Sequence, residues 1–205
     1  VSDETNRLLD TAAIFRYHQA CIRAYGNDGP AALGWTQPAG QQARFAALAG
    51  IGNLAHCSVL DAGCGHADLY PFLRARYPGV QYCGIEQVPE LLAVAEARHG
   101  HAADVVLGRG DFRRAPLPPA DYVLASGALS YRHHDPHFVY HAIEKLFAAC
   151  RLGLGFNLLS REPVPGGLLV AYEPATIRQF CAGLADKVVL VEGYWAGDFT
   201  VFAYR

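Results

Sequence analysis

From Ser58 onward the chain alternates short apolar runs with helix-compatible stretches, and its last two apolar runs are separated only by Ala196, Gly197 and Asp198. Alternating strand and helix implies a largely parallel sheet covered on both faces. A three-residue link cannot make a parallel crossover, which needs a dozen or more residues, so the final pair must be an antiparallel hairpin. The strand candidates are 58–62, 80–86, 104–108, 121–125, 153–159, 187–194 and 199–204, and helices fill 68–77, 89–99, 136–150 and 174–184. Pro89, Pro136 and Pro174 stand where a first helical turn tolerates a residue without an N–H. Two helices precede this pattern. The first, 5–25, stops at Gly26, a C-terminal capping signal, and the second runs from about 41 to 54 after a loop rich in glycine and proline.

At 205 residues the chain is long for one domain and short for two. With no long linker, 1–57 reads as a helical cap on a core spanning 58–205, in one compact unit. Hydrophobic residues at 52% against 18% charged supply a sizeable core. A net charge of −2 lacks the basic footprint that phosphate backbones require, so no nucleic-acid partner is expected. Cys21, Cys57, Cys64, Cys83, Cys150 and Cys181 are scattered without a CxxC pair, as free thiols in a reducing compartment are. The opening VSDETNRLLD has no apolar leader segment. The longest apolar run, 152–159, is far too short to span a bilayer, so a cytoplasmic protein with no membrane partner is expected. Nothing in the sequence sets an oligomeric state.

The strongest local signal is VLDAGCGHAD at 59–68, where a strand ends in a glycine-rich turn that opens a helix. Glycines let the backbone approach a ligand, and helix N-terminal amides favour a negative group. A dinucleotide fingerprint would carry a third glycine where Asp68 stands, and an acid there repels a pyrophosphate. Asp61 suits an ammonium better than a phosphate, so the turn fits a zwitterion. Glu86 ends the second strand, where a carboxylate accepts from ribose hydroxyls. Asp111, after the third strand, could accept from an exocyclic amine while Phe112 packs on a purine face. Singly, such features are ordinary turns and strand-end acids. Three in order at successive strand ends, where open α/β sheets bind ligands, point to a nucleoside with an amino-acid tail.

The series VLDAGCGHADL, GIE, GDF and DYVLASGAL resembles the ordered motifs of class I S-adenosylmethionine-dependent methyltransferases over 58–205. Trp35, Gln41, Arg44 and Phe45 match the Trp-x5-Gln-x2-Arg-Phe pattern of small bacterial members with an N-terminal helical cap. The resemblance implies a doubly wound, Rossmann-like α/β fold with a seven-stranded, mostly parallel sheet of order 3-2-1-4-5-7-6 and an antiparallel last strand. It implies S-adenosyl-L-methionine as cofactor, with Asp61, Gly63 and Gly65 at the methionine moiety, Glu86 at the ribose and Gln87 among the cofactor-binding residues. Asp111 and Phe112 would meet the adenine, Ser126 and Gly127 would face the reactive end, and Arg44 would pair with the cofactor carboxylate. Ala67 stands where the family often has a third glycine, a change expected to matter little.

Tyr17, Tyr131, His133, Asn157 and Tyr172 are candidates for the substrate pocket, shaped by the cap and the loop 160–167. His133 or His134 could act as a base, although each is more simply a polar residue at a helix entrance. His137 and His141 share a helix face but lack a third ligand, so no metal is expected. The sulfonium is already activated, so the protein mainly aligns a nucleophile, which accounts for the absence of a catalytic triad. SGAL follows the fourth strand where amide- and nucleobase-amine methyltransferases carry an Asn-Pro-Pro-Tyr-like tetrapeptide, which favours a small-molecule acceptor. Two alternatives stay open: transfer or cyclisation of the cofactor's aminocarboxypropyl arm with release of methylthioadenosine, and a non-catalytic cofactor-binding or partner protein.

Overall fold

The computed structural model describes residues 3–205; Val1 and Ser2, the start of the charged opening stretch, lie outside them. Helix α1 (Asp3–Tyr25) leads through a single 3-10 turn (Pro30–Leu33) to α2 (Pro38–Ala49). Then follow β1 (Ser58–Ala62), α3 (Leu69–Arg74), β2 (Gln81–Glu86), α4 (Pro89–His99), β3 (Val105–Arg109) and β4 (Ala120–Ala125). The chain ends with α5 (Phe138–Ala149), β5 (Cys150–Leu159), α6 (Pro174–Ala182), β6 (Lys187–Glu192) and β7 (Asp198–Tyr204). The seven strands form one sheet of order β3-β2-β1-β4-β5-β7-β6, as the sequence implies. β1 to β5 pair in parallel, and β7 runs antiparallel to both β5 and β6.

Strand residues alternate between two apolar layers, because successive side chains point to opposite faces. Leu60, Val123, Ala125, Val201 and Ala203 join the layer under α5 and α6. Helix α5 supplies Phe138, Val139, Ala142, Ile143, Leu146 and Phe147, the stripe that a 3.6-residue period produces. Val59, Leu124 and Phe202 face the other way, onto Phe45 and Leu48 of α2 and Leu69 and Leu73 of α3. The second N-terminal helix is therefore a layer of the core as well as part of the cap.

Several boundaries differ from the sequence reading for local reasons. Helix α2 starts at Pro38, its N1 residue, and ends at Ala49, capped by Gly50, whose N–H bonds Ala47 O at 3.0 Å. Helix α3 stops at Arg74, ahead of Pro78, although the Tyr77 N–H still bonds Leu73 O at 2.8 Å. Pro136 precedes α5 instead of opening it: Asp135 Oδ1 accepts the His137 N–H at 2.8 Å, and that turn delays the helix to Phe138. The hairpin link is residues 193–197, five residues and not three, and remains too short for a crossover.

Candidate functional site

The carboxyl ends of β1, β2 and β4 converge on the turn after β1. Gly63 and Cys64 both donate to Ile85 O, at 2.8 and 3.1 Å, which folds the turn back across β2. Gly63 and Gly65 have φ of +77° and +57°, and a Cβ on either would come within 2.7 Å of Ala128 Cβ or Leu33 Cδ2. Glycine is required by conformation and by space. Ala67 also sits at φ +57° and is fully buried, so replacing the family's third glycine carries backbone strain of about 1–2 kcal/mol, more than the sequence reading allowed. Glu86 clamps the turn: its Oε2 accepts the Gly65 N–H and its Oε1 the Val88 N–H, each at 2.8 Å. Burial raises the Glu86 carboxyl, and the backbone donors oppose that rise.

Next to the clamp, a narrow cavity of about 80 Å³ is lined by Asp61, Gly63, Gly65, Glu86, Gln87, Phe112, Ser126 and Gly127. Three buried polar atoms in this wall, Asp61 Oδ1, Gln87 Oε1 and Ser126 Oγ, have no hydrogen-bond partner. Each such atom costs about 1–3 kcal/mol when left unsatisfied, so three on one wall are hard to explain without a polar ligand. Asp61 Oδ2 accepts the Tyr82 hydroxyl at 2.6 Å. Burial pushes the Asp61 carboxyl up to about 7, against the pull of Tyr82 and with help from Glu86 and Asp68. A cation placed at Oδ1 would draw it back down.

The cap closes this cavity with Ile14, His18, Leu33, Trp35, Gln41 and Phe45. His18 Nδ1 lies 3.2 Å from Ala32 O, which only a protonated nitrogen can bond, leaving Nε2 to accept the Tyr131 hydroxyl at 2.8 Å. Burial lowers His18 and raises Tyr131, so both stay neutral. Tyr131 thus lines the narrow cavity. His18 escaped the sequence reading, although its spacing of four from Ile14 puts both on one helical face.

A second cavity, about 430 Å³, adjoins the first and shares Trp35 and Gly127 with it. Tyr17, Arg44, Trp195 and Asp198 line it, together with Leu159, Leu168, Leu169 and the loop residues Arg161, Pro163 and Val164. Arg44 is committed to the protein's own acid. Its guanidinium grips Asp198 with two hydrogen bonds, one from Nη2 to Oδ1 at 2.6 Å and the other from Nε to Oδ2, and stacks on Trp35 at 4.3 Å.

Other sequence candidates lie elsewhere. Asp111 is turned to Arg113, with Nη2 to Oδ2 at 2.6 Å, and does not line the narrow cavity. His133 stacks on Phe138 at 3.5 Å and lines a third cavity with Arg113 and Lys145, remote in composition from the other two. Burial brings it down to about 4, so it is neutral. Asn157 lies under the hairpin, where its Nδ2 donates to Thr200 Oγ1 at 2.6 Å. Tyr172 packs against the α5–α6 layer. Neither lines either of the adjoining cavities. The reason is common to all: sequence gives a residue's strand end but not the partner that turns its side chain. Among the described residues no three His, Cys, Asp or Glu side chains are grouped to hold a metal, and no helix is long and apolar enough to cross a membrane.

Residues 59–153 match the family model described as a methyltransferase domain. A Mycobacterium tuberculosis protein, Rv1506c, whose name calls it a methyltransferase, is 30% identical over 159 residues, 72% of this chain and 93% of that protein. Among solved structures, Synechocystis magnesium protoporphyrin IX methyltransferase with bound S-adenosylhomocysteine superposes with a TM-score of 0.65 and 16% identity, covering 82% of this chain and 84% of its own. Human N-acetylserotonin methyltransferase in complex with S-adenosylmethionine gives 0.62 and 15%, covering 95% of this chain and 67% of its own.

Proposed function

Because the chain belongs to the class I S-adenosylmethionine-dependent methyltransferases, we propose that it methylates a small-molecule acceptor seated in the larger cavity. The observation that carries this reading is the set of three unpartnered buried polar atoms, Asp61 Oδ1, Gln87 Oε1 and Ser126 Oγ, on the wall of a cavity that opens beside a larger one. Two structural neighbours are named for porphyrin and indole-derived acceptors, which supports a small molecule over a macromolecule.

Asp61 would take the cofactor's ammonium, with Gly63 and Gly65 giving the methionine end close passage. Glu86 and Gln87 would accept from the ribose hydroxyls, since each Glu86 oxygen keeps a lone pair beyond its backbone partner. Phe112 would cover the adenine, and Asp111 would reach its amine only by sharing its carboxylate with Arg113. Ser126 and Gly127 would line the reactive end. Arg44, tied to Asp198 and stacked on Trp35, would hold the partition between the cavities instead of gripping the cofactor carboxylate. We place the division of labour at a cap, 1–57, and a core, 58–205, within one domain. Six free cysteines support a reducing compartment such as the cytoplasm.

When bound, S-adenosylmethionine, held by Asp61, Glu86 and Gln87, would supply an activated methyl group on a cationic sulfur. The titratable residues lining the larger cavity are Tyr17, Arg44, Arg161 and Asp198. Burial pushes Tyr17 up to about 12, so it keeps its proton, and Asp198 is held by Arg44. The wall offers no unengaged base. The chain therefore works by aligning the acceptor and excluding water, which in well-oriented systems supplies up to about 7–11 kcal/mol.

Incubation of the full chain with S-adenosylmethionine and a panel of small aromatic and aliphatic acceptors, read by mass spectrometry, tests this. S-adenosylhomocysteine and a product heavier by one methylene support it. Methylthioadenosine would replace it with aminocarboxypropyl chemistry, and binding without turnover on any acceptor would refute it.

A further inference from the structure

The larger cavity has a chemistry of its own. Trp35 and Trp195 are the only two tryptophans in the chain, and both line it, with Tyr17 as a third ring. Each indole is held on one side by α2. A Cβ on Gly40 would lie 3.1–3.3 Å from three ring atoms of Trp195, so the bare backbone of α2 is the seat of that ring. Arg44 covers one face of Trp35, and Gly127 packs at its edge. Among the described residues no ring stacks on Trp195, which is partly buried on the cavity wall. Leu159, Leu168, Leu169, Pro163 and Val164 add aliphatic wall, and Thr36, Gln37 and Ser130 are its uncharged polar members. A volume of about 430 Å³ is in the range, roughly 300–1,000 Å³, of pockets that enclose whole small molecules.

Charge adds direction. Arg44 and Asp198 neutralise each other. Arg161, on the loop after β5, makes no hydrogen bond or ion pair with any described residue, so the cavity carries one uncompensated positive charge at its exposed side. A guanidinium prefers the planar, two-oxygen geometry of a carboxylate, and an indole wall prefers a flat π system.

We infer that the acceptor is a planar aromatic carboxylic acid, its rings against Trp195 and Trp35 and its carboxylate at Arg161. This rests on the methyl-transfer reading for the word acceptor; the binding preference itself does not. Uncompensated positive charge at one side also orients the ligand, sending the end opposite the carboxylate toward Gly127, where the cavities meet.

Calorimetry on the full chain with three ring-matched probes tests the inference: 6-hydroxy-2-naphthoate, neutral 2-naphthol, and cationic 2-naphthylmethylammonium. The naphthoate should bind about tenfold more tightly than naphthol, with the cation weakest. Arg161→Gln, which breaks no contact of the fold and should not move the melting temperature, should abolish the naphthoate preference and leave naphthol affinity unchanged. Trp195→Leu should weaken all three probes. Equal affinity for naphthoate and naphthol, or a preference that survives Arg161→Gln, overturns the proposal. S-adenosylmethionine is titrated separately. Its failure to bind would sink the function proposed above even if the naphthoate preference held, whereas cofactor binding without that preference would sink only the acceptor class.

Discussion

Asp61→Asn should make the protein more stable at pH 8 while spoiling it as a binder. The Asp61 side chain is 2% exposed, and burial raises its carboxyl from 3.8 to about 7. That rise makes the ionised form cost about 4 kcal/mol relative to the unfolded chain. Because the folded value lies above the unfolded one, this stability is complete below about pH 4, is lost as pH rises, and is gone above about 7. Asparagine keeps an acceptor for the Tyr82 hydroxyl, carries no charge, and leaves one amide NH2 unpartnered at a cost of about 1–3 kcal/mol. The net gain at pH 8 is then about 1–3 kcal/mol, worth roughly 2–4 °C per kcal/mol for a chain of this size. At pH 5 only about 1–2 kcal/mol of that cost applies, since the unfolded carboxyl is ionised and the folded one is not, and the amide penalty offsets it, so the gain should largely vanish. Ligand-free thermal melts followed by circular dichroism at the two pH values measure this directly. An Asp61→Asn protein that melts at or below wild type at pH 8, or by the same offset at both pH values, would falsify the picture of a buried acid waiting for a cation. Calorimetry at pH 8 should show S-adenosylmethionine affinity reduced at least tenfold, since a charge-assisted contact is replaced by a neutral one.

Wild-type affinity for S-adenosylmethionine should fall toward tenfold per pH unit below about 7, because binding at Asp61 requires the ionised acid; a flat titration between pH 5 and 7 would contradict this. Glu86→Ala should weaken cofactor binding at least tenfold by calorimetry, since it frees the Gly65 and Val88 N–H groups along with the ribose acceptor. Gly65→Ala should lower the melting temperature and cofactor affinity together, because φ of +57° and a 2.7 Å approach to Leu33 both oppose a Cβ. Removing residues 1–57 should leave no cooperative melt, because Phe45 and Leu48 belong to the core layer under the sheet; a folded truncation would show the cap to be separable.

How far the sequence reached differs between the two cavities. Asp61, Gly63, Gly65, Glu86, Gln87, Phe112, Ser126 and Gly127 all come to one cavity because each sits at or just beyond a strand's carboxyl end, and parallel strands bring those ends together. Position along the chain therefore dictated position in space. Asp111 obeys the same rule for its backbone, and Arg44 reaches the cavities from α2, yet Arg113 and Asp198 capture their charges. Those partners lie two residues away in one case and 154 in the other, and no periodicity reveals either. His133 follows the same logic: its neighbours Arg113 and Phe138 turn it into a different cavity. The histidine that does reach the site, His18, sits on a helix whose inward face only the packed structure identifies.

This contrast explains why the chemistry of the donor is legible while that of the acceptor is not. The matched methyltransferase domain spans 59–153. Of the residues lining the larger cavity, only Gly127 and Ser130 fall inside it; the others come from α1, the connection into α2, α2 itself, the end of β5 with the loop after it, and the closing hairpin. Arg44 on α2 and Asp198 at the start of β7 join these outlying pieces across 154 residues of chain, beside the ring that divides the two cavities. Under the proposed assignment, the larger cavity can thus change by substitutions that leave every strand-end group lining the narrow cavity untouched. The Arg44–Asp198 pair is the exception, because its loss would release Trp35 into both cavities at once. Arg44→Met, which keeps the stem but not the fork, should therefore weaken cofactor and naphthoate together, while Arg161→Gln weakens the naphthoate alone. Should Arg44→Met spare cofactor affinity, Trp35 would be a wall of the acceptor pocket only, and the two sites would be independent.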